Sequence, residues 1–123
     1  MKNSDYYSKV AKYYEQVGEK LKSKYGKEPI PKHIIEKEFC SLSSYAKGSV
    51  LVTDYCYNLI NKAKYSVQHP LFERIERGLF YYLGPGYNYN GEITWEPKGR
   101  QKSVVGYWRN GKWYLDNDPR KSA

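Results

Sequence analysis

No stretch of this chain approaches the roughly 18 consecutive apolar residues that a membrane-crossing helix needs. The leading segment MKNSDYYSK has no apolar core of the kind a secretory signal carries. A membrane is therefore not expected as a partner. Cysteine is scarce: the two present, Cys40 and Cys56, are too few for a disulfide framework. Each lies in an apolar-rich stretch, where a free thiol packs as a small hydrophobe. The expectation is a reduced, cytoplasmic protein. Histidine is equally rare, and His33 and His69 stand at no zinc-ligand spacing with the cysteines. Nothing resembles the carboxylate cluster of a metal-dependent nuclease. Neither His33 nor His69 is paired with a nucleophile, and Asp54, Glu36 and Glu73 belong to no recognisable catalytic set. No catalytic residue, metal or cofactor is assigned, and an enzyme is not expected. The glycine-rich segment GPGYNYNG at residues 84–91 fits neither a P-loop nor a dinucleotide fingerprint.

What is abundant is tyrosine and positive charge. The chain has 15 Tyr against 3 Phe, so most of its rings carry a hydroxyl that must meet water or a partner. The formal net charge is +8 in 123 residues, which favours polyanionic partners through counterion release. Residues 1–61 hold 10 basic and 7 acidic groups; residues 62–123 hold 11 and 6. Within residues 96–112, Lys98, Arg100, Lys102, Arg109 and Lys112 face a single acid. The C-terminal half is thus the more electropositive. The length allows one modest core, and a single domain is expected over residues 1–115 with a polar tail at 116–123.

Tyr6, Val10, Tyr13, Tyr14, Val17 and Leu21 recur at helical spacing after a Ser4-Asp5 cap and before Gly26, predicting a helix over about residues 4–24. Pro31 suits the first turn of a second helix carrying Ile34, Ile35 and Phe39. Thr53 and Asp54 suggest the start of a third, with Tyr55, Leu59 and Ile60 as its inner face. The period then turns strand-like. Residues 71–75 and 79–83 flank Glu76-Arg77-Gly78, a hairpin turn, and Asn110-Gly111 is a second hairpin signal between residues 104–108 and 113–115. Another strand is expected at residues 92–96. The expected fold is α+β and winged-helix-like: three N-terminal helices, a β-ribbon wing and a small C-terminal antiparallel meander.

The segments SVLVTDYCYNLINK, LFERIERGLFYYLGPGYNYNGEI and VVGYWRNGKW resemble a small, poorly characterised domain family of bacteria and phages. The resemblance covers about residues 30–115 and is most specific at residues 49–58, against a Ser-Val-x-x-Ser/Thr-Asp-Tyr-Cys-Tyr-Asn pattern. Similar modules occur alone or attached to restriction-type nucleases, which implies nucleic-acid handling near defence systems. Here Leu79 follows Gly78 where the pattern has a small or polar residue, and the sequence contains no nuclease module. The resemblance therefore implies a stand-alone binder, a regulator or accessory factor, more than an enzyme.

On this reading the segment from Thr53 enters a major groove of duplex DNA. Asn58 and Asn61 face adenine edges, Tyr57 a phosphate or a thymine methyl, and Lys62 and Lys64 neutralise phosphates. Arg74 and Arg77 on the ribbon reach an adjacent groove or backbone. Lys98, Arg100 and Lys102 form a second basic tip that can track phosphates, with Trp95, Trp108 or Trp113 available to unpaired bases. Against this, the segment has no Arg to read bases. Asp54 as a cap, Tyr55 and Cys56 packed into a core and Asn58 bonded to the following loop explain the segment better than base reading does, and aromatic residues alternating along strands ordinarily cover a core. Tyr87 and Tyr89 mark a protein-contact loop. The competing function is a protein-interaction module, such as a phage-encoded inhibitor of a host nuclease or defence protein.

Overall fold

A computed structural model describes residues 4–45, 51–60, 69–96, 99 and 101–114, with side chains from residue 8 onward. Helix α1 spans Ser4–Tyr25 and closes where Gly26, at φ 61°, donates its N–H to the Lys22 carbonyl. A left-handed glycine there satisfies a carbonyl that a fraying helix leaves to water. Val10, Tyr14, Val17 and Leu21 put the predicted stripe into the core. Gly18 lies in the same stripe because the Tyr82 ring packs where its side chain would stand.

Strand β1 (Ile30–Pro31) leads directly into helix α2 (Lys32–Leu42), whose inner face is Ile35 and Phe39. Phe39 stacks on Tyr14, ring centroids 4.3 Å apart. Beneath the two helices lies a three-stranded sheet in the order β1–β4–β3, with β3 at Phe72–Glu76 and β4 at Leu79–Tyr82. The turn between β3 and β4 uses Gly78 at φ 84°, a conformation that costs glycine nothing. Phe72, Phe80 and Tyr82 of this sheet complete the first core against α1 and α2.

A second sheet, in the order β2–β5–β6–β7, comprises Leu59–Ile60, Gly91–Trp95, Ser103–Arg109 and Lys112–Tyr114. β2 runs parallel to β5, and the remaining pairs are antiparallel. The β6–β7 turn is Asn110-Gly111, with both residues at positive φ as that dipeptide favours. Register and pleat put Ile93, Trp108 and the bulged Val105 on one face, where they form a second core with Tyr57, Ile60 and Tyr89.

The winged-helix expectation is therefore overturned: among the described residues there are two α-helices and two sheets, a β-rich architecture rather than three helices and a wing. The decisive segment is residues 51–60. Val52–Tyr55 form one 3₁₀ turn with no side-chain cap, so Thr53 caps no helix. The chain then extends, bridging Cys56 to Phe72 and continuing as β2. Helical spacing at Tyr55, Leu59 and Ile60 misleads because these residues serve two cores: Tyr55, Cys56 and Leu59 pack in the first, Tyr57 and Ile60 in the second. Pro31, expected in the first turn of the second helix, is extended in strand β1 just before it, and β1 owes its place to pairing with β4 about 50 residues away.

Candidate functional site

The two sheets part at Asn58. Up to that point the crossing segment lies along β3: Tyr57 donates its N–H to the Phe72 carbonyl at 2.7 Å, and Leu71 donates to Tyr55 at 2.8 Å. At Asn58 the side chain takes over from the backbone. Its Nδ2 donates to the Arg74 carbonyl at 2.8 Å and its Oδ1 accepts the Arg74 N–H at 2.9 Å. The Asn58 main-chain carbonyl meanwhile accepts from Thr94 of the other sheet. One residue thereby holds both sheets and fixes the backbone that carries Arg74.

Beyond it opens a polar cleft of about 380 Å³, lined chiefly by Asn58, Arg74, Arg77, Thr94, Glu96 and Lys102, with Glu76 as a second acid beside three cations. Glu96 sits between two guanidinium groups. Arg74 Nη2 donates to its Oε1, and Arg77 Nη2 to its Oε2 at 2.9 Å. The Arg74 side chain is largely covered at 17% exposure, whereas Arg77 stands out at 84%. The hydrogen bond from Arg74 and the surrounding positive groups hold the Glu96 carboxyl below its ordinary 4.5, against a smaller opposing effect of burial. Two arginines on one carboxylate, with Lys102 beside them, can exchange that carboxylate for an external oxyanion.

Of the predicted nucleic-acid contacts, Arg74, Arg77 and Lys102 converge at this cleft, and Asn58 is a support of it rather than a base reader. Tyr57 is buried and takes another role. Its hydroxyl donates to the Gly84 carbonyl at 2.6 Å and accepts the Tyr87 N–H at 2.9 Å, while its ring stacks on Tyr89. It is therefore a core post under the glycine-rich loop, not a surface contact. Tyr89 is buried as well and donates to Glu73 at 2.7 Å; Tyr87 is the exposed member of that loop. Asn61, Lys62, Lys64, Lys98 and Arg100 lie outside the described residues. Trp108 is buried and donates its indole N–H to the Tyr57 carbonyl, Trp95 is packed against the second core, and Trp113 is exposed. Reading the sequence missed Glu96. The sequence shows a lone acid heading a run of five bases, but not that it meets Arg74 and Arg77.

Of the residues weighed for catalysis, Cys56 lies near enough to Asp54 and Glu73 to feel their charge. Cys56 is fully buried, and burial pushes its thiol up, so it remains protonated. His69 lies with Ser8, Lys12 and Glu15 in a groove between α1 and the glycine-rich loop, and burial lowers its basicity. Among the described residues, no three His, Cys, Asp or Glu side chains gather where they could hold a metal ion. No described helix is long and apolar enough to cross a membrane.

Residues 12–115 match the family described as a domain of unknown function, DUF7225. A curated relative, the "Uncharacterized protein YnaC" of Bacillus subtilis (strain 168), is 36% identical over 99 residues. That stretch is 80% of this chain and 37% of the relative, so the chain spans well under half the length of the protein it matches. No solved structure matches the chain.

Proposed function

We propose that this chain, which belongs to the DUF7225 family, is a nucleic-acid-binding module that holds phosphate groups in the cationic cleft between its sheets. The observation that carries this reading is the meeting of Arg74, Arg77 and Lys102 at one cleft. Arg74 and Arg77 share one hairpin, and Lys102, far along the chain, meets them only through the fold. Guanidinium groups match phosphate geometry, and Lys98 and Arg100 precede Lys102 at alternate positions in the sequence, extending the basic stretch. A net charge of +8 draws the protein to a polyanion at long range. The setting implied by the DYCYN motif, beside a restriction-type nuclease, gives such a module a use: it holds the nucleic acid on which an associated enzyme acts.

Fluorescence anisotropy with labelled single-stranded and duplex DNA tests the reading. Affinity should fall steeply between about 50 and 200 mM salt, and Arg77→Ala with Lys102→Ala should weaken it and flatten the salt slope by roughly 0.7–0.9 per lost contact. Absence of binding at low salt, or binding indifferent to salt, refutes it. The cleft would then be left to an acidic protein surface, and a pull-down from nuclease-treated lysate would look for that partner.

A further inference from the structure

The four-stranded sheet has a second face, and its chemistry changes along its length. Pairing of Glu92 with Tyr107, and of Tyr107 with Tyr114, puts these three side chains on the face opposite Trp108 and Ile93. Thr94, two residues beyond Glu92 on the same strand, shares that face, and with Glu96 just past the strand's end it lines the cleft. Arg109 and Lys112, a cross-strand pair, extend it to the tip of the hairpin. The Tyr107 and Tyr114 rings stack at 5.1 Å with 24° between planes, and the Arg109 guanidinium lies over Tyr107 at 5.2 Å. Tyr107 is covered by its two neighbours, whereas Tyr114 is 44% exposed and Arg109 and Lys112 are exposed. Among the described residues neither ring belongs to a hydrophobic core; the cross-strand pair steadies the hairpin and leaves its outer ring exposed.

We propose that the Tyr107–Tyr114–Arg109 cluster is a base-stacking platform, and that the ligand is single-stranded rather than duplex nucleic acid. The inference rests on the phosphate-binding reading of the cleft and extends it. A base offers its flat face to a protein ring only when unpaired and unstacked, so a duplex cannot use this surface. From Ser103, next to the cleft residue Lys102, to Arg109 at the tip, the seven residues of β6 span about 20 Å at a strand's rise. That span gives one strand room to place phosphates at Arg74, Arg77 and Lys102 and a base on Tyr114. Glu92, exposed beside Tyr107, repels phosphate and so favours presentation of bases at that point.

The test uses the whole protein and three labelled probes of equal length: a natural single strand, the same strand with its bases removed, and a duplex. The natural strand should bind about tenfold more tightly than the abasic one, the scale of one stacked base. Tyr114→Ala should abolish that gap while leaving abasic binding unchanged, and Tyr114→Phe should restore it. Because the abasic comparison needs no variant, a poorly folded substitution cannot hide the answer. Equal, salt-sensitive binding of all three probes, weakened by Arg77→Ala, would overturn the platform and leave the cleft reading intact. Duplex binding tighter than single-strand binding would also overturn the platform. No binding of any probe at low salt would remove both.

Discussion

Replacing Glu96 by Gln should move stability and affinity in opposite directions. The substitution keeps the size of the side chain but removes the charge shared by Arg74 and Arg77. One amide oxygen can still accept from a guanidinium, while the new amide nitrogen faces the other, donor against donor. Arg77 is 84% exposed, so its ion pair contributes little; the covered Arg74 pair contributes more. A stability loss of about 1 kcal/mol follows, or roughly 4 °C in Tm for a chain of this size. For a bound phosphate the balance reverses. A carboxylate about 4 Å away costs a phosphate roughly 1 kcal/mol in bulk water and about 4 at the dielectric of a protein surface. An open cleft lies toward the lower end, so removing the charge should tighten binding by about 5- to 30-fold, at 1.4 kcal/mol per factor of ten.

Two freed arginines should also steepen the salt dependence for a single strand by up to roughly 1.4 in log–log slope. Anisotropy titrations at several salt concentrations read both quantities, and thermal melts read the stability. If affinity falls along with stability, Glu96 orients the arginines for the ligand and does not compete with it; the reasoning above then fails. The pH dependence has a definite sign. The Glu96 carboxyl is held below 4.5 in the folded protein, so its contribution to stability is complete above that pH. It is lost as pH falls through the lower folded value. The stability difference between wild type and Glu96→Gln should therefore be flat from neutral pH to about 5 and shrink only in stronger acid.

Gly18→Ala should destabilise by about 1 kcal/mol, although alanine favours a helix by roughly that amount. A Cβ would stand 2.1 Å from a Tyr82 ring that is itself tied to Glu19, and overpacking costs about 1–3 kcal/mol; a higher Tm would show that the ring yields. Tyr57→Phe should lower stability by about 1–2 kcal/mol in urea unfolding, because the Gly84 carbonyl and Tyr87 amide lose their partner. Amide exchange at Tyr87 should quicken in the same variant, and an unchanged rate would mean that the loop holds itself. A thiol reagent should label half-buried Cys40 in the native protein and reach Cys56 only on unfolding, as mass spectrometry of the labelled chain would show.

Local signals carried well from sequence to structure, and non-local ones did not. The stripe of Val10, Tyr14, Val17 and Leu21 and the turns at Gly78 and Asn110-Gly111 depend on neighbours within a few residues, and each stands as read. The pairings β1–β4 and β2–β5 involve two-residue strands too short for any alternation to mark them in the sequence; distant partners create them. Tyr57 and Tyr89 illustrate a different difficulty. Tyrosine in a polar loop suggests exposure, yet each hydroxyl here has a fixed partner, which permits burial. At the cleft, the basic residues were legible as charges. Their shared carboxylate was not, because only the fold brings Glu96 across to Arg74 and Arg77.

The position of the cleft follows from how a strand changes sheets. Had the backbone at Asn58 continued along β3, its amides would have paired with Arg74 and the two strands would have zipped shut. Instead the Asn58 side chain satisfies the Arg74 N–H and carbonyl, releasing the main chain to turn toward β5. An edge that would otherwise leave polar backbone groups unpaired is closed without a strand. The wedge left between the sheets is too wide for backbone pairing and open to water, so long side chains span it, Arg74 and Arg77 from one side and Glu96 from the other. Such a bridge holds the sheets together in the absence of ligand. It also leaves two guanidinium groups whose carboxylate an oxyanion can displace, so the contact that closes the fold and the proposed phosphate site share the same atoms.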